Sequence, residues 1–443
     1  MEKAVEVKGL RFKYQRGKGF ALDGIDFEQK KGDAMVRVLV IFLVLVIGMR
    51  AFAWGRVLDF GGEDYGISGI GTKDGGYVVI GNSYKKGSKD SELLIIKLDG
   101  KGELVWERSY GGGAEELGKA VIEEDDGYLV LGVSGSYGSG GRDAWVLKVN
   151  KDGDKVWERF YGGAQDDWPS SIKRVDGGYI ISGYIEKNGP FFTDFWVLRI
   201  DENGRKVWER TYDKSAQDRG YSLALAKDSG YFLAGVCGPM GLNFYDYCLV
   251  RIDDKGDKLW DRVYGGRRWE LGYAIEPFQE GGYLLAGMSG VVGLGELYRL
   301  AKVIGGVLPG GSGFVAPGRY DVWVMRLDDS GEKVWEKSYG GSEDDRIYAM
   351  RNSKDGGYVL VGRSRSYGSG DYSAWIFKID KAGELVWSRV CGGEGDDGAF
   401  GIEALAEGFL VVGYTSGVGS KDFLVLRMDE EGDCGCELCR VNE

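Results

Sequence analysis

Residues 153–163 read GDKVWERFYGG, and nearly the same words stand at 102–112 (GELVWERSYGG), 256–266 (GDKLWDRVYGG) and 331–341 (GEKVWEKSYGG). A catalytic motif is normally written once or twice in a chain, whereas a phrase repeated at fixed spacing marks a structural unit. Its tryptophan falls at Trp54, Trp106, Trp157, Trp208, Trp260, Trp335 and Trp387, at intervals of 52, 51, 51, 52, 75 and 52 residues. The single long interval carries an insertion at about 295–318, GELYRLAKVIGGVLPGGSGFVAPG, which is apolar and Gly-rich. An insertion confined to one loop of a rigid repeat is where recognition is commonly placed.

Each unit continues in the same way after YGG. An acidic residue leads into a small and apolar stretch, then DGGY or a variant (74–77, 176–179, 355–358), then an apolar run ending in Gly. A variable loop follows, then D-x-W-V-x-K/R (DAWVLKVN 143–150, DFWVLRID 194–201, DVWVMRLD 321–328) and a short D-x-x-G turn back to the tryptophan. The runs are five to seven residues long, rich in β-branched and aromatic residues, and separated by turn residues, so they predict strands. The glycines of the DGG and D-x-x-G turns supply the positive φ that tight hairpins need. Gly is 77 of 443 residues, against average usage of about 7%, and Pro only 6. Four strands fit into each unit and no helix of ordinary length does. The expected fold is therefore all-β: a seven-bladed propeller of four-stranded antiparallel blades over residues 54–443. The seventh unit has Cys436 where its fourth-strand Trp is due, while AWGRVLDFGG (53–62) supplies the missing text at the other end. The N-terminal strand is accordingly expected to complete the last blade and remove a raw sheet edge.

The D-G-G-Y…G…D-x-W-V-x-K-x-D-x-x-G-x-x-x-W unit resembles the propellers of the quinoprotein-like and kelch-like superfamilies, and the repeats of secreted bacterial and archaeal proteins. That resemblance covers 54–443 and implies fold, not activity. Residues 6–33, EVKGLRFKYQRGKGFALDGIDFEQKKGD, resemble the opening strands of an ABC-transporter ATPase. There the position of Tyr14 implies an aromatic that stacks on adenine. No G-x-x-x-x-G-K-[ST] loop follows, so nothing is left to hold phosphates, and residues 1–34 are read as a fragment that does not bind ATP. Between fragment and repeats, MVRVLVIFLVLVIGMRAFA (35–53) has the basic start, apolar run and A-x-A end of a secretory signal peptide, and it is too short to span a bilayer. Cleavage near Ala53 implies a secreted or cell-surface protein.

Residues 1–53 carry ten basic and six acidic side chains, so of the chain's formal −12 the remainder holds −16. An acidic surface argues against nucleic acid as a partner. The chain has no histidine, which removes Ser-His-Asp and Cys-His chemistry and histidine-ligated metals. Of six cysteines, Cys237 and Cys248 flank one hairpin loop and are disulfide candidates. Cys434, Cys436 and Cys439 form C-x-C-x-x-C, either a disulfide-bearing tail or, with Cys391, a metal set. An acid recurs after each YGG: Asp64, Glu116, Asp167, Asp218, Glu270, Asp345 and Asp397. These seven read either as turn caps or as a carboxylate ring at one mouth of the channel for a cation such as calcium. No cofactor is implied. The composition favours an exported, monomeric, non-catalytic scaffold for a protein or glycan ligand; the alternative is a propeller enzyme, quinoprotein-like or a carboxylate hydrolase. N-terminal sequencing of the exported protein is expected to begin at Trp54; an N-terminus within residues 1–34 would refute the cleavage.

Overall fold

The computed structural model describes residues 53–443 apart from 86–89, 188, 190–191, 239–244, 267, 291–319, 370, 417–419 and 442–443, and in residues 1–52 only the strands Phe12–Gln15 and Lys18–Leu22. Those two strands pair antiparallel as a small unit of their own. The signal segment up to residue 52 and the insertion at 295–318 lie outside the described residues.

Residues 53–443 form a β-propeller. Seven groups of four antiparallel strands follow in chain order, and each group begins with one innermost strand: Glu63–Gly71, Glu116–Glu124, Asp167–Val175, Gln217–Leu225, Trp269–Pro277, Asp345–Asn352 and Gly398–Ala404. The third and fourth groups touch through one parallel bridge, Thr193 to Gln217. The last group draws its fourth strand from the start of the array: Trp54–Leu58 runs antiparallel to Lys421–Met428, with Trp54 opposite Arg427 and Leu58 opposite Phe423. We number the blades one to seven by their innermost strands.

A blade has two apolar faces and buries both against its neighbours. Between blades one and two, Val78 and Ile80 pack on Tyr128, Val130 and Trp145. Equivalent clusters fill each later seam, and one joins the two ends, where Trp54, Tyr77 and Val79 meet Leu410, Val412 and Phe423. Because apolar burial is the main favourable term in folding, every seam contributes and an open one would expose a cluster.

The repeated tryptophan sits at these seams. The ring of Trp157, on the fourth strand of blade three's predecessor, lies against Gly204 in the Asp201–Gly204 turn of blade three, where a β-carbon would stand 2.9 Å from Trp157 Cζ3. That glycine has φ +75°, a left-handed conformation that only glycine adopts without cost. Asp201 Oδ1 sets the turn by accepting from the amides of Asn203 and Arg205, both at 2.8 Å. The same contact recurs as Trp54 on Gly102, Trp106 on Gly153, Trp208 on Gly256, Trp260 on Gly331, Trp335 on Gly383 and Trp387 on Gly432. The tyrosine four residues on adds a second hold: Tyr212, Tyr264 and Tyr339 each donate to the carbonyl of the glycine that its tryptophan covers, at 2.6 Å.

At the chain end, Cys439–Val441 adds a fifth strand to blade six, paired with Leu385–Cys391. On its way there the tail lays Cys436 and Leu438 over the closing strand, so close that a β-carbon at Gly55 would stand 2.7 Å from Cys436 Sγ.

Gly204→Ala is expected to destabilise the protein by about 2–3 kcal/mol, from left-handed backbone plus overlap with the indole. Gly163→Ala, with nothing within 4 Å of its β-carbon, is expected to stay within about 0.5 kcal/mol. Urea unfolding of the two variants checks this.

Candidate functional site

Each innermost strand carries the same irregularity. Its pairing register slips by one residue next to its neighbour, between Gly66 and Ser68 in blade one, Gly118 and Ala120 in blade two, and Pro169 and Ser171 in blade three. Blades four to seven repeat it at Gly220/Ser222, Gly272/Ala274, Ile347/Ala349 and Ala399/Gly401. A bulge leaves one residue unpaired and re-aims its side chain. The bulged residues are Ile67, Lys119, Ser170, Tyr221, Tyr273, Tyr348 and Phe400, and all seven line the central cavity of about 580 Å³. Backbone and repeat are constant here, but the aimed side chain is not.

Four of those residues are aromatic and belong to a longer chain of rings at this level. Centroids are 6.2 Å apart for Trp168–Tyr184, 6.3 Å for Tyr184–Tyr221, 5.3 Å for Tyr221–Tyr273 and 5.8 Å for Tyr273–Tyr348. The run continues at 5.0 Å to Phe400, 5.5 Å to Tyr414 and 5.1 Å to Tyr65. It therefore passes through blades three to seven and back to blade one. Cations sit over several faces: Lys119 over Trp168 at 5.5 Å, Arg219 over Tyr184 at 5.5 Å and Lys421 over Tyr414 at 4.7 Å. The Nε atoms of Arg219, Arg346 and Arg363 are buried without a hydrogen-bond partner. Burial pushes the Lys119 ammonium below the usual lysine range. Rings with cations over their faces suit a ligand with apolar faces and oxygen acceptors.

Further along the cavity the lining changes to ions. Arg351 donates to Glu276 Oε1 at 2.9 Å and to Glu403 Oε2 at 3.2 Å. Lys173 shares this level, and the nearby Arg351 charge, followed by burial, holds its ammonium low. One level of the channel is thus aromatic and the other is a closed charge cluster.

The seven acids do not form a ring around this lumen. None of them lines the cavity; all are buried and cap the turn four residues upstream. Asp64 accepts from Phe60 N at 2.8 Å, Glu116 from Gly112 N at 3.2 Å, Asp167 from Gly163 N at 2.6 Å and Asp218 from Lys214 N at 2.6 Å. Asp345 and Asp397 accept likewise from Gly341 N and Gly393 N, and Glu270 accepts from Ser289 Oγ at 3.3 Å. The physical reason is the alternation of a strand. These residues point into the seam with the preceding blade, and the bulged residue three positions later points to the axis.

The cysteines are paired: Cys237 with Cys248, Cys391 with Cys439 and Cys434 with Cys436. The C-x-C-x-x-C motif with Cys391 is therefore no metal set in this structure, since each sulfur is covalently occupied and no thiolate is left to ligate.

No family model matches the chain, and no curated protein matches it. Solved structures do. The β-propeller domain of the Trilobed protease from Pyrococcus furiosus aligns at TM-score 0.45 and 12% identity, over 86% of this chain and 98% of that one. Sqt1 from Chaetomium thermophilum aligns at 0.44 and 11%, over 86% and 98%. BBS1N, from its complex with ARL6DN, aligns at 0.46 and 10%, over 85% and 97%.

Burial makes several of the acids in the seams reluctant to ionise. Asp167 is pushed up to about 7, mainly by desolvation, against its bond from Gly163 and with Asp143, Glu209 and Asp166 adding to the rise. Asp143, Asp218, Glu270 and Asp397 shift the same way, again chiefly by burial. A raised acid keeps its proton in the folded chain while the unfolded chain has lost it, so stability falls as pH rises from about 4 to about 7. Asp167→Asn keeps an acceptor for Gly163 and removes the charge. Its melting temperature is expected to gain on wild type steadily across that window and to level off above it, as thermal unfolding at stepped pH would show.

Proposed function

We propose that the chain is an exported, non-catalytic, monomeric binding propeller of quinoprotein-like or kelch-like repeat type. Its ligand is a protein or glycan component of a cell surface, and it docks on the aromatic level of the central channel. The observation that carries this reading is the set of bulged rings Tyr221, Tyr273, Tyr348 and Phe400 that line one level of the cavity, part of a longer row from Trp168 to Tyr65, with Arg219 and Arg363 over rings of that row. Aromatic faces pack on the apolar faces of sugars or on side chains, and guanidinium groups bind carboxylates and hydroxyls. The rings of the row stand on eight hydrogen-bonded strands, so little ordering entropy is lost on binding.

The test is a screen of the purified chain on immobilised neutral and acidic polysaccharides and on cell-surface protein fractions, with Tyr273→Ala/Tyr348→Ala beside wild type. The expected result is retention of wild type by at least one of these surfaces and a loss of at least tenfold in affinity for the double variant, about 1.4 kcal/mol or more. Equal binding by the two proteins would place the ligand elsewhere and overturn the reading.

A further inference from the structure

The seams between blades carry a second repeated feature. The acid at the head of each innermost strand faces, in most blades, an acid from the third strand of the preceding blade, across the residue five positions after the repeated tryptophan. At Gly162 a β-carbon would stand 2.2 Å from Asp143 Oδ1 and 2.3 Å from Asp167 Oδ2. At Gly340 it would stand 2.6 Å from Asp321 Oδ1 and 2.7 Å from Asp345 Oδ2. Any side chain at this position enters the gap between two carboxylates. Five units keep glycine there: Gly111, Gly162, Gly265, Gly340 and Gly392. The other two have Asp59 and Asp213.

Those two units are the places where three carboxylates converge. Asp59 meets Asp64 and Asp422, and Asp213 meets Asp194 and Asp218, with ligand oxygens in each set within 4.8 Å of one another. Negative charges at that spacing, partly withdrawn from water, repel unless a proton or a cation stands among them. In the Asp213 set the chain supplies one, since the Lys187 ammonium is paired with Asp194. In the Asp59 set no lysine or arginine is paired with any of the three among the described residues. There Asp64 is fully buried and its Oδ1 has no hydrogen-bond partner. The bonds these acids do accept are Gly61 N to Asp59 Oδ1 at 2.7 Å, Phe60 N to Asp64 Oδ2 at 2.8 Å and Ser420 Oγ to Asp422 Oδ1 at 3.1 Å. Lone pairs remain on every carboxylate.

We propose that Asp59, Asp64 and Asp422 bind a calcium ion. An all-oxygen set of three carboxylates selects a hard divalent cation, and its irregular make-up suits the flexible coordination of calcium better than the strict octahedron of magnesium. The place gives the ion a task. Asp59 directly follows the closing strand, Asp64 heads blade one, and Asp422 lies on the third strand of blade seven. One ion therefore ties together the two ends of the chain's propeller at its closing seam. Lys187 stands over the one set, and no described lysine or arginine is paired with the other.

The experiment is thermal unfolding of the full chain in chelator, in about 5 mM calcium chloride and in about 5 mM magnesium chloride, with calorimetric calcium titration alongside. Wild type is expected to rise by roughly 3 °C or more in calcium and by less in magnesium. Asp59→Gly restores the residue that five units already carry, so it should fold, and it is expected to lose the calcium shift. Asp213→Gly is expected to keep it. Asp422→Asn, its folding checked by near-ultraviolet circular dichroism, is expected to weaken calcium binding at least tenfold. No shift and no binding heat in wild type overturns the proposal. So does an unchanged shift in Asp59→Gly, or a shift lost in Asp213→Gly and kept in Asp59→Gly.

Discussion

The contact of an indole ring with a left-handed glycine is the constraint on which the remainder of the propeller rests. Each tryptophan from the outer strand of one blade lies flat against the turn glycine of the next, from Trp54 on Gly102 to Trp387 on Gly432. Both partners are forced. A smaller residue than Trp would leave a void at the seam, and any residue but Gly would meet the ring at under 3 Å while paying for a positive φ. The contact also fixes rotation and translation between blades, because a ring packed on a turn has one register. A spacing of 51 or 52 residues follows from needing one such pair per blade.

The closure obeys the same rule. Trp54 precedes blade one in sequence, yet it belongs to blade seven in space, because Gly102 needs an indole and the seventh unit ends without one. Arg56 reinforces the joint by donating to the Lys101 carbonyl and to Glu103, both at 2.8 Å. The closing strand has Leu58 where most other units have the latching tyrosine, so its second hold is absent. What the joint has in its place is the tail, with Cys436 and Leu438 lying over Gly55, and the three carboxylates at Asp59.

This explains which features were legible in the sequence. Strand order, turn positions and the donor of the closing strand were all readable, because each is a local demand repeated seven times and so visible as a phrase. The seven acids were visible for the same reason, and of the two readings they allowed, turn caps or a ring, the turn caps hold. A residue present in every unit serves what every unit needs, here the capping of a turn, as the Phe60–Asp64 and Gly163–Asp167 bonds show. The cavity lining could not be read in this way. Its positions are set by a one-residue bulge that breaks the alternation of the strand, so a period-two reading assigns the side chains after it to the wrong face. A signal was nonetheless present: YS, YA, YA and FG at 221–222, 273–274, 348–349 and 400–401 put a ring where the first three units have Ile67, Lys119 and Ser170. The pairing of Cys439 with Cys391 was equally out of reach, since it needs the tail to add a fifth strand to a blade other than the one it follows.

A repeat of this kind separates two roles by position. Residues that are alike in all units hold the blades together, and their freedom to change is small because a substitution breaks one seam out of seven. Residues that differ between units face the axis or stand in a seam, where the fold asks only for a size. Chemistry is free to vary there at little cost to stability, and three of this chain's departures fall in such places: the aromatic bulges of blades four to seven, the acids Asp59 and Asp213 in place of glycine, and the tail cysteines. The rings and the acids even follow from one geometry. The bulge turns the residue three positions after the capping acid toward the channel and leaves the acid itself in the seam. Each blade thereby presents one side chain to a ligand on the axis and one carboxylate to its neighbour, from the same strand and with no contact between the two tasks.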